Sequence, residues 1–130
     1  VINDFGKVIG FRPARKKITY EDLIFSCDIG LSTVVLRKNK KNKNIIKFPG
    51  LKTKEDYVLW INLSKNKVIF YGIKKNLVKW RKTNDSLSSN FLQKLSDGFK
   101  VYYIYLKFNF FKSILFLFLL SINYLKKALF

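Results

Sequence analysis

The last quarter of the chain constrains the fold most, because residues 99–130 are almost continuously aromatic and aliphatic (FKVYYIYLKFNFFKSILFLFLLSINYLKKALF). The longest charge-free run, 113–125, has 13 residues, whereas a helix needs about 20 apolar residues to span a bilayer. Four lysines flank this run or interrupt the wider apolar segment: Lys107, Lys112, Lys126 and Lys127. This pattern predicts a helix that associates peripherally with an anionic membrane surface. Burial in a protein core is the alternative, and a spanning helix is disfavoured.

Charge and titratable residues narrow the classes of function. Lys and Arg number 26 against 8 Asp and Glu, a formal charge of +18, which attracts nucleic acid, anionic lipid or phosphorylated substrates. An AT-rich genome produces the same excess of Lys at tolerant surface positions. The chain has no His and one Cys, Cys27. An internal disulfide and His-dependent catalysis are therefore excluded, a zinc site is disfavoured, and carboxylates and lysines remain as acid–base groups.

A Thr-x-Glu-Asp sequence occurs twice, at 19–22 and at 53–56. Each predicts a helix start, with Thr as the N-cap and the acids favoured by the helix dipole. Asp22 and Asp56 take the place of Glu or Gln in a capping box. The second copy differs in its surroundings, since it follows a Pro-Gly turn and precedes an apolar run predicted to be a buried helix. A carboxylate at the rim of such a scaffold can serve as a catalytic base.

The remaining patterns predict an α/β fold with few strands. β-Branched and apolar runs predict strands within 6–12, 33–36, 67–72 and 76–82. A polar loop with candidate N-caps follows at 83–90, and the pattern turns helical from about residue 91. The absence of Met and of a signal-like start leads us to expect the downstream portion of a longer protein.

The order of these motifs resembles a known family. KTKEDYVLWINLS followed by KVIFYGIKKNLVKWRKTNDSLSSN is similar to the C-terminal half of bacterial family-two glycosyltransferases of the GT-A fold, which assemble capsule and O-antigen polysaccharides. The flanking segments agree, so the resemblance covers essentially the whole chain. It implies that 1–90 form the acceptor-side half of a GT-A-like catalytic domain and that 91–130 form a hydrophobic helical tail. It also implies a location at the cytoplasmic face of the bacterial inner membrane.

The resemblance assigns roles to the second acidic pair. Asp56 is implied to be the base that takes a proton from an acceptor hydroxyl, which then attacks a nucleotide-activated sugar with inversion. Glu55 is implied to orient the acceptor or to support the base. The implied partners are a nucleotide-sugar donor and a saccharide or lipid-linked acceptor.

Three further residues are candidates for substrate binding. Arg81 matches a position near the leaving pyrophosphate, where a guanidinium suits phosphate geometry, although a His of the family motif is lacking here. Trp60 either packs the helix or touches sugar, and it lies about one turn beyond Asp56. Thr33 either lines the acceptor side or packs in the core.

The family's front half has no counterpart in the chain. No Asp-x-Asp and no Gly-rich phosphate loop occur, so the Mg²⁺ or Mn²⁺ expected in the intact enzyme has no ligands in this segment. We expect residues 1–130 alone neither to bind the sugar nucleotide tightly nor to turn over. Two alternatives remain: a basic nucleic-acid-binding module and a membrane-associated fragment without enzymatic activity. The aromatic residues are concentrated in the tail rather than interleaved with Lys, so we expect no nucleic-acid partner.

Overall fold

The computed structural model describes residues 1–40, 42–83 and 90–129. Most of the predicted polar loop at 83–90 falls outside the described residues. The helices, in chain order, are α1 (Tyr20–Leu23), α2 (Glu55–Lys65), α3 (Phe91–Lys100) and α4 (Phe110–Leu129), with a 3₁₀ turn at Leu31–Thr33 and a π-helix at Val101–Tyr105. The strands are β1 (Lys17–Ile18) and β2 (Phe70–Tyr71). They pair antiparallel, with Ile18 opposite Phe70.

Helix α2 forms the centre of the core. Its apolar residues are each at most 2% exposed: Tyr57, Val58, Leu59, Trp60, Ile61 and Leu63. The prediction of a helix buried on nearly every side is confirmed. Side chains from before and after residue 90 complete the same core, among them Leu23, Val101, Tyr102, Leu106 and Leu120. The C-terminal helices therefore share one hydrophobic core with the rest of the described chain.

Two buried tyrosines connect the elements around this core. The Tyr57 hydroxyl donates to the Leu23 carbonyl and lies 3.2 Å from the Tyr102 hydroxyl. The Tyr102 hydroxyl donates to the Ile24 carbonyl at 2.9 Å. Carbonyls at the end of a helix have no partner within that helix. The two hydroxyls thus satisfy the end of α1 from α2 and from the π-helix.

The sheet is smaller than the sequence predicts. The expected strand in 67–72 is confirmed in part by β2, whereas 6–12 and 76–82 contribute single bridges from Ile2 to Val8 and to Arg81. The expected buried strand in 33–36 is wrong, because the backbone there is not paired and Val35 is fully exposed. A β-branched run becomes a strand only beside a pairing partner, and none of the described residues pairs with it. The architecture is nonetheless a mixture of helices and a small sheet.

The predicted helical region after residue 91 is confirmed, but it forms two helices. The Asn90 side chain caps α3 by accepting from the Gln93 N–H at 3.0 Å. The chain then breaks where Lys107 adopts a left-handed conformation, with φ of 56°. Helix α4 begins after Asn109, whose side chain accepts from the Lys112 N–H at 2.9 Å.

Helix α4 leaves several large apolar side chains on the surface. They are Phe110, Phe111, Ile114, Leu115, Phe118, Tyr124 and Leu125. Within 1–40, 42–83 and 90–129, no helix combines the length and the hydropathy that a membrane crossing requires.

Candidate functional site

The first acidic segment closes on itself. Asp22 Oδ2 accepts from the Thr19 N–H at 2.9 Å and from the Thr19 hydroxyl at 3.1 Å. Asp22 Oδ1 forms an ion pair with Arg15 at 2.7 Å. The backbone hydrogen bond from Thr19, with help from Arg15, lowers the pKa of Asp22. The predicted cap at Thr19 is confirmed, and both carboxylate oxygens of Asp22 are occupied by it and by the guanidinium.

The second acidic segment begins its helix differently. Lys54 is the N-cap of α2, with φ of 63°, so Glu55 is the first helical residue and Asp56 the second. The predicted cap at Thr53 is wrong. Both donors of Thr53, the N–H and the hydroxyl, bind Asp97 Oδ2 at 2.9 Å. The two Thr53 donors thus bind a charged, buried acceptor on α3. Thr53 therefore does not form with Asp56 the hydrogen bonds that Thr19 forms with Asp22.

The Asp56 carboxyl is half-buried at the start of α2. Its Oδ1 accepts from the Tyr57 N–H at 2.7 Å, and among the residues that the structure describes no ion pair involves it. Burial raises the pKa of Asp56, and the charge of Glu55 adds to this, while the Tyr57 N–H and the Lys54 ammonium oppose it. A desolvated carboxylate without a bonded cation is a stronger base than an ordinary one.

Lys54 and Cys27 share the surroundings of Asp56. The Lys54 stem passes α3 at Gly98, where an added Cβ would lie 3.4 Å from Lys54 Cε. Burial lowers the pKa of Lys54, and the charge of Asp56 opposes that shift. Burial raises the pKa of Cys27 to about 12, with a further contribution from Asp56. At neutral pH, Cys27 is therefore a thiol and not a nucleophilic thiolate.

The three predicted substrate-binding residues do not gather around Asp56. Trp60 is 2% exposed and packs edge-to-face on Phe70, with ring centroids 5.6 Å apart. Thr33 lies on the exposed 3₁₀ turn, where its hydroxyl donates to the Gly30 carbonyl at 2.7 Å. The Arg81 guanidinium donates to two carbonyls of the N-terminal turn, those of Asn3 at 2.9 Å and Asp4 at 2.6 Å. The structure thus brings together Glu55 and Asp56, and it places the other three elsewhere.

A cavity of about 230 Å³ lies at the other end of α2, between the start of α1 and the turn after Lys65. Its lining includes Glu21, Ser64 and Lys67. Eight residues of helix separate Ser64 from Asp56, about 12 Å along the axis. The lining of this cavity does not include Asp56, so the exposed part of the Asp56 carboxyl faces a different surface.

A divalent metal ion is held by several carboxylate, carbonyl or imidazole ligands that lie close together. Within the described ranges, no three His, Cys, Asp or Glu side chains lie close enough together to hold one. The buried Asp97 carboxylate is instead bonded to protein donors. Among the residues that the structure describes, these side chains therefore form no cluster for Mg²⁺ or Mn²⁺.

Lys54 and Asp97 are parts of this site that the local sequence pattern did not indicate. Asp97 is the single acidic residue in 91–130, and it is 1% exposed. An isolated acid in an apolar and basic segment was a usable signal, because buried carboxylates are retained only where they are paired. No sequence pattern near Thr53 indicated that it binds Asp97.

Two glycosyltransferases are similar to this chain. One is TuaG of Bacillus subtilis (strain 168), named as a teichuronic acid biosynthesis glycosyltransferase, 30% identical over 95 residues. The other is WfgD of Escherichia coli, a UDP-Glc:alpha-D-GlcNAc-diphosphoundecaprenol beta-1,3-glucosyltransferase, 34% identical over 102 residues. The alignments cover 73% and 78% of this chain, but only 36% and 39% of the relatives.

The predicted similarity to glycosyltransferases is confirmed, at 30% and 34% identity over part of the chain. The chain spans less than two fifths of the length of these two relatives. No protein-family profile matches the chain. No solved structure matches it either.

Proposed function

We propose that this chain is the acceptor-side half of the catalytic domain of an inverting, family-two glycosyltransferase of the GT-A fold. The enzyme acts in the biosynthesis of surface polysaccharide. The similarity to two glycosyltransferases supports the class of enzyme. The observation that carries the proposal is the Asp56 carboxyl, which is half-buried, raised in pKa and free of a bonded cation at the start of a rigid helix.

In this proposal Asp56 is the general base. Its carboxylate takes the proton of an acceptor hydroxyl as the oxygen forms a bond to the anomeric carbon of the nucleotide sugar. The bond from that carbon to the phosphate oxygen breaks on the opposite face, and the electron pair leaves with the nucleotide diphosphate. The anomeric configuration is inverted. Glu55, the preceding helical residue, orients the acceptor or supports the base.

The partners in this proposal are a nucleotide-sugar donor and a saccharide or lipid-linked acceptor. The divalent cation expected of the intact enzyme supplies charge stabilisation to the leaving diphosphate, and it is held by residues outside this chain. Arg81, on the exposed edge beside the N-terminal turn, retains further guanidinium donors for the diphosphate. Trp60 packs the helix, and in this proposal Thr33 meets the acceptor from its exposed 3₁₀ turn and not from the surroundings of Asp56.

The test is a transfer assay with the intact protein that contains this chain, a panel of nucleotide sugars and Mg²⁺ or Mn²⁺. We expect transfer from one donor, with an anomeric configuration in the product opposite to that of the donor, as read by NMR. Purified residues 1–130 are the matched control, and we expect no turnover from them. Retention of configuration, or turnover by residues 1–130 alone, would overturn the proposal.

We also propose that residues 99–130 hold the enzyme at the cytoplasmic face of the bacterial inner membrane. The support is the exposed apolar surface of α4, where Phe111 is 82% and Phe118 is 61% exposed. The Lys112 ammonium lies 4.2 Å from the Phe108 ring centroid, which places a cation beside this surface. Such a surface suits the headgroup region of anionic lipid.

Liposome flotation tests this association. We expect the intact protein to float with vesicles containing anionic lipid, and less with neutral vesicles. Replacing both Phe111 and Phe118 with Ser should reduce flotation, whereas replacing the exposed Val35, far from α4 in sequence, should not. Equal flotation of the wild type and the two variants would show that α4 is not the membrane contact.

A further inference from the structure

The buried carboxylate of Asp97 lies in α3, outside the segment that carries the acidic pair. It is 1% exposed, and burying a charge is costly unless the charge is paired and hydrogen-bonded. Here Oδ2 accepts from the Thr53 N–H, the Thr53 hydroxyl and Gln93 Nε2, each at 2.9 Å. Lys100 Nζ lies 3.1 Å from Oδ1. Burial raises the pKa of Asp97, but the bonds from Gln93, Thr53 and Lys100 together lower it below its ordinary value.

These bonds fall into two groups with different consequences. Gln93 and Lys100 are on the same helix as Asp97 or directly at its end, so their bonds stay within one helical segment. The two bonds to Thr53 span 44 residues. They attach the segment before α2 to the C-terminal part of the chain.

The attachment holds a turn that is unfavourable by itself. Lys54, the next residue, has φ of 63°, and the left-handed region is unfavourable for a non-glycine residue because its Cβ comes too close to the following carbonyl oxygen. The Lys54 stem lies against Gly98, which follows Asp97, and an added Cβ there would be 2.8 Å from Leu117 Cδ1 and 3.4 Å from Lys54 Cε. The Lys54 side chain therefore lies close beside α3 at a position where only a glycine leaves room for it and for Leu117 of α4. Glu55 and Asp56 are the first residues after the turn.

We infer that Asp97 is a positioning residue for Asp56: its bonds to Thr53 hold the left-handed turn at Lys54 and thereby set where the base carboxylate stands. The inference rests on the proposed function. It gives α3 a part in catalysis that is separate from any contact of the tail with membrane. A displacement of about 1 Å in a catalytic group can cost on the order of 100-fold in rate.

The test compares four variants of the intact enzyme. Asp97→Ala removes both bonds to residue 53, and Thr53→Val removes the hydroxyl bond while keeping the backbone N–H bond. Thr53→Ser keeps both donors, and Lys100→Met removes only the bond within the α3 segment. We expect the first two to lower kcat by at least about 10-fold with little change in the acceptor KM, and to move the acid limb of the pH–kcat profile. Thr53→Ser and Lys100→Met should remain near wild type in both.

A second readout does not depend on catalysis. Amide hydrogen exchange across residues 53–57 should speed up in Asp97→Ala and in Thr53→Val, and stay unchanged in Lys100→Met. Lower thermal stability with an unmoved acid limb and unchanged exchange at 53–57 would overturn the positioning role. Wild-type activity of Asp56→Asn would instead overturn the proposed function, so the two failures are distinguishable.

Discussion

The two Thr-x-Glu-Asp segments share a sequence pattern but form different local structures. At 19–22, Thr19 caps the helix and Asp22 closes the cap as the third helical residue. At 53–56, Thr53 is bonded to Asp97 instead, the cap moves to Lys54, and Asp56 becomes the second helical residue. The comparison teaches that a capping pattern specifies a helix start only where its Thr is not taken by a tertiary acceptor. Where the Thr binds elsewhere, the following Asp has no hydrogen bond from that Thr; Asp56 keeps only the bond from the Tyr57 N–H among those described.

The two carboxyls also differ in pKa, which is shifted in opposite directions. The lowered pKa of Asp22 means that its ionised form stabilises the fold above the ordinary pKa, and this contribution is lost as the pH falls through the folded-state pKa. The raised pKa of Asp56 means that its ionised form costs stability. That cost is complete above the folded-state pKa and disappears below the ordinary pKa. One segment contributes to stability, and the other is held in a state suited to accepting a proton.

The largest expected difference is in catalysis. In the intact enzyme, Asp56→Asn should lower kcat by about 10²–10⁴-fold, because that is what a general base contributes. Asp22→Asn, the matched control, should leave kcat of the folded enzyme near wild type. Steady-state kinetics on protein shown to be folded by circular dichroism makes the comparison. Equal loss of turnover in the two folded variants would break the separation between the segments.

The next effect concerns what holds Asp56 in place. Trp60 is on the same helix, buried against Phe70, so Trp60→Ala should lower the free energy of unfolding by about 3–5 kcal/mol. Trp60→Phe should cost clearly less and leave the acceptor KM near wild type. Urea denaturation gives the first quantity and initial-rate kinetics the second. A large rise in acceptor KM for Trp60→Phe in a stable protein would indicate a sugar contact instead of packing.

A smaller effect separates the segments by stability alone. Asp22→Asn should lower the free energy of unfolding by about 1 kcal/mol at neutral pH, since it weakens an N-cap. Asp56→Asn should cause no such loss and should be equal to or more stable than wild type, because it removes a desolvated charge. Parallel urea titrations at pH 7 measure both. A clear destabilisation by Asp56→Asn would show that its carboxylate is a structural group.

The smallest effect is the pH dependence of those two differences. Acidification should abolish the deficit of Asp22→Asn only below the ordinary aspartate pKa, because the wild-type carboxylate stays ionised at that pKa. Any advantage of Asp56→Asn should decline at higher pH, between the raised folded-state pKa and the ordinary pKa, and disappear below the ordinary pKa. Urea denaturation at several acidic pH values would show which of the two stability differences disappears at the higher pH. If the Asp22→Asn difference disappeared first, the assigned directions of the two pKa shifts would be contradicted.

The parts of the fold that were predicted from sequence depend on local patterns. The cap at Thr19 and the buried helix after residue 56 follow from residues within a few positions of each other. The unpaired stretch at 33–36 could not be predicted, since strand formation depends on a partner elsewhere in the chain.

The arrangement of the candidate site depended on a contact that no local pattern encodes. Thr53 and Asp97 are 44 residues apart, and their bond decides which residue caps α2. The residue after Thr53, Lys54, adopts the left-handed conformation although it is not a glycine. Asp56 was assigned by the family resemblance, with which its place before an apolar run agrees, whereas the contacts that hold it there became visible only in the structure.

The most direct measurement is a site-resolved titration of the Asp22 and Asp56 carboxyl carbons by NMR in the intact protein. The structure predicts that the pKa of Asp56 lies above the ordinary aspartate value and that the pKa of Asp22 lies below it. Loss of activity on acidification should follow the Asp56 titration. A pKa of Asp56 at or below that of Asp22 would contradict the assignment of Asp56 as the desolvated base.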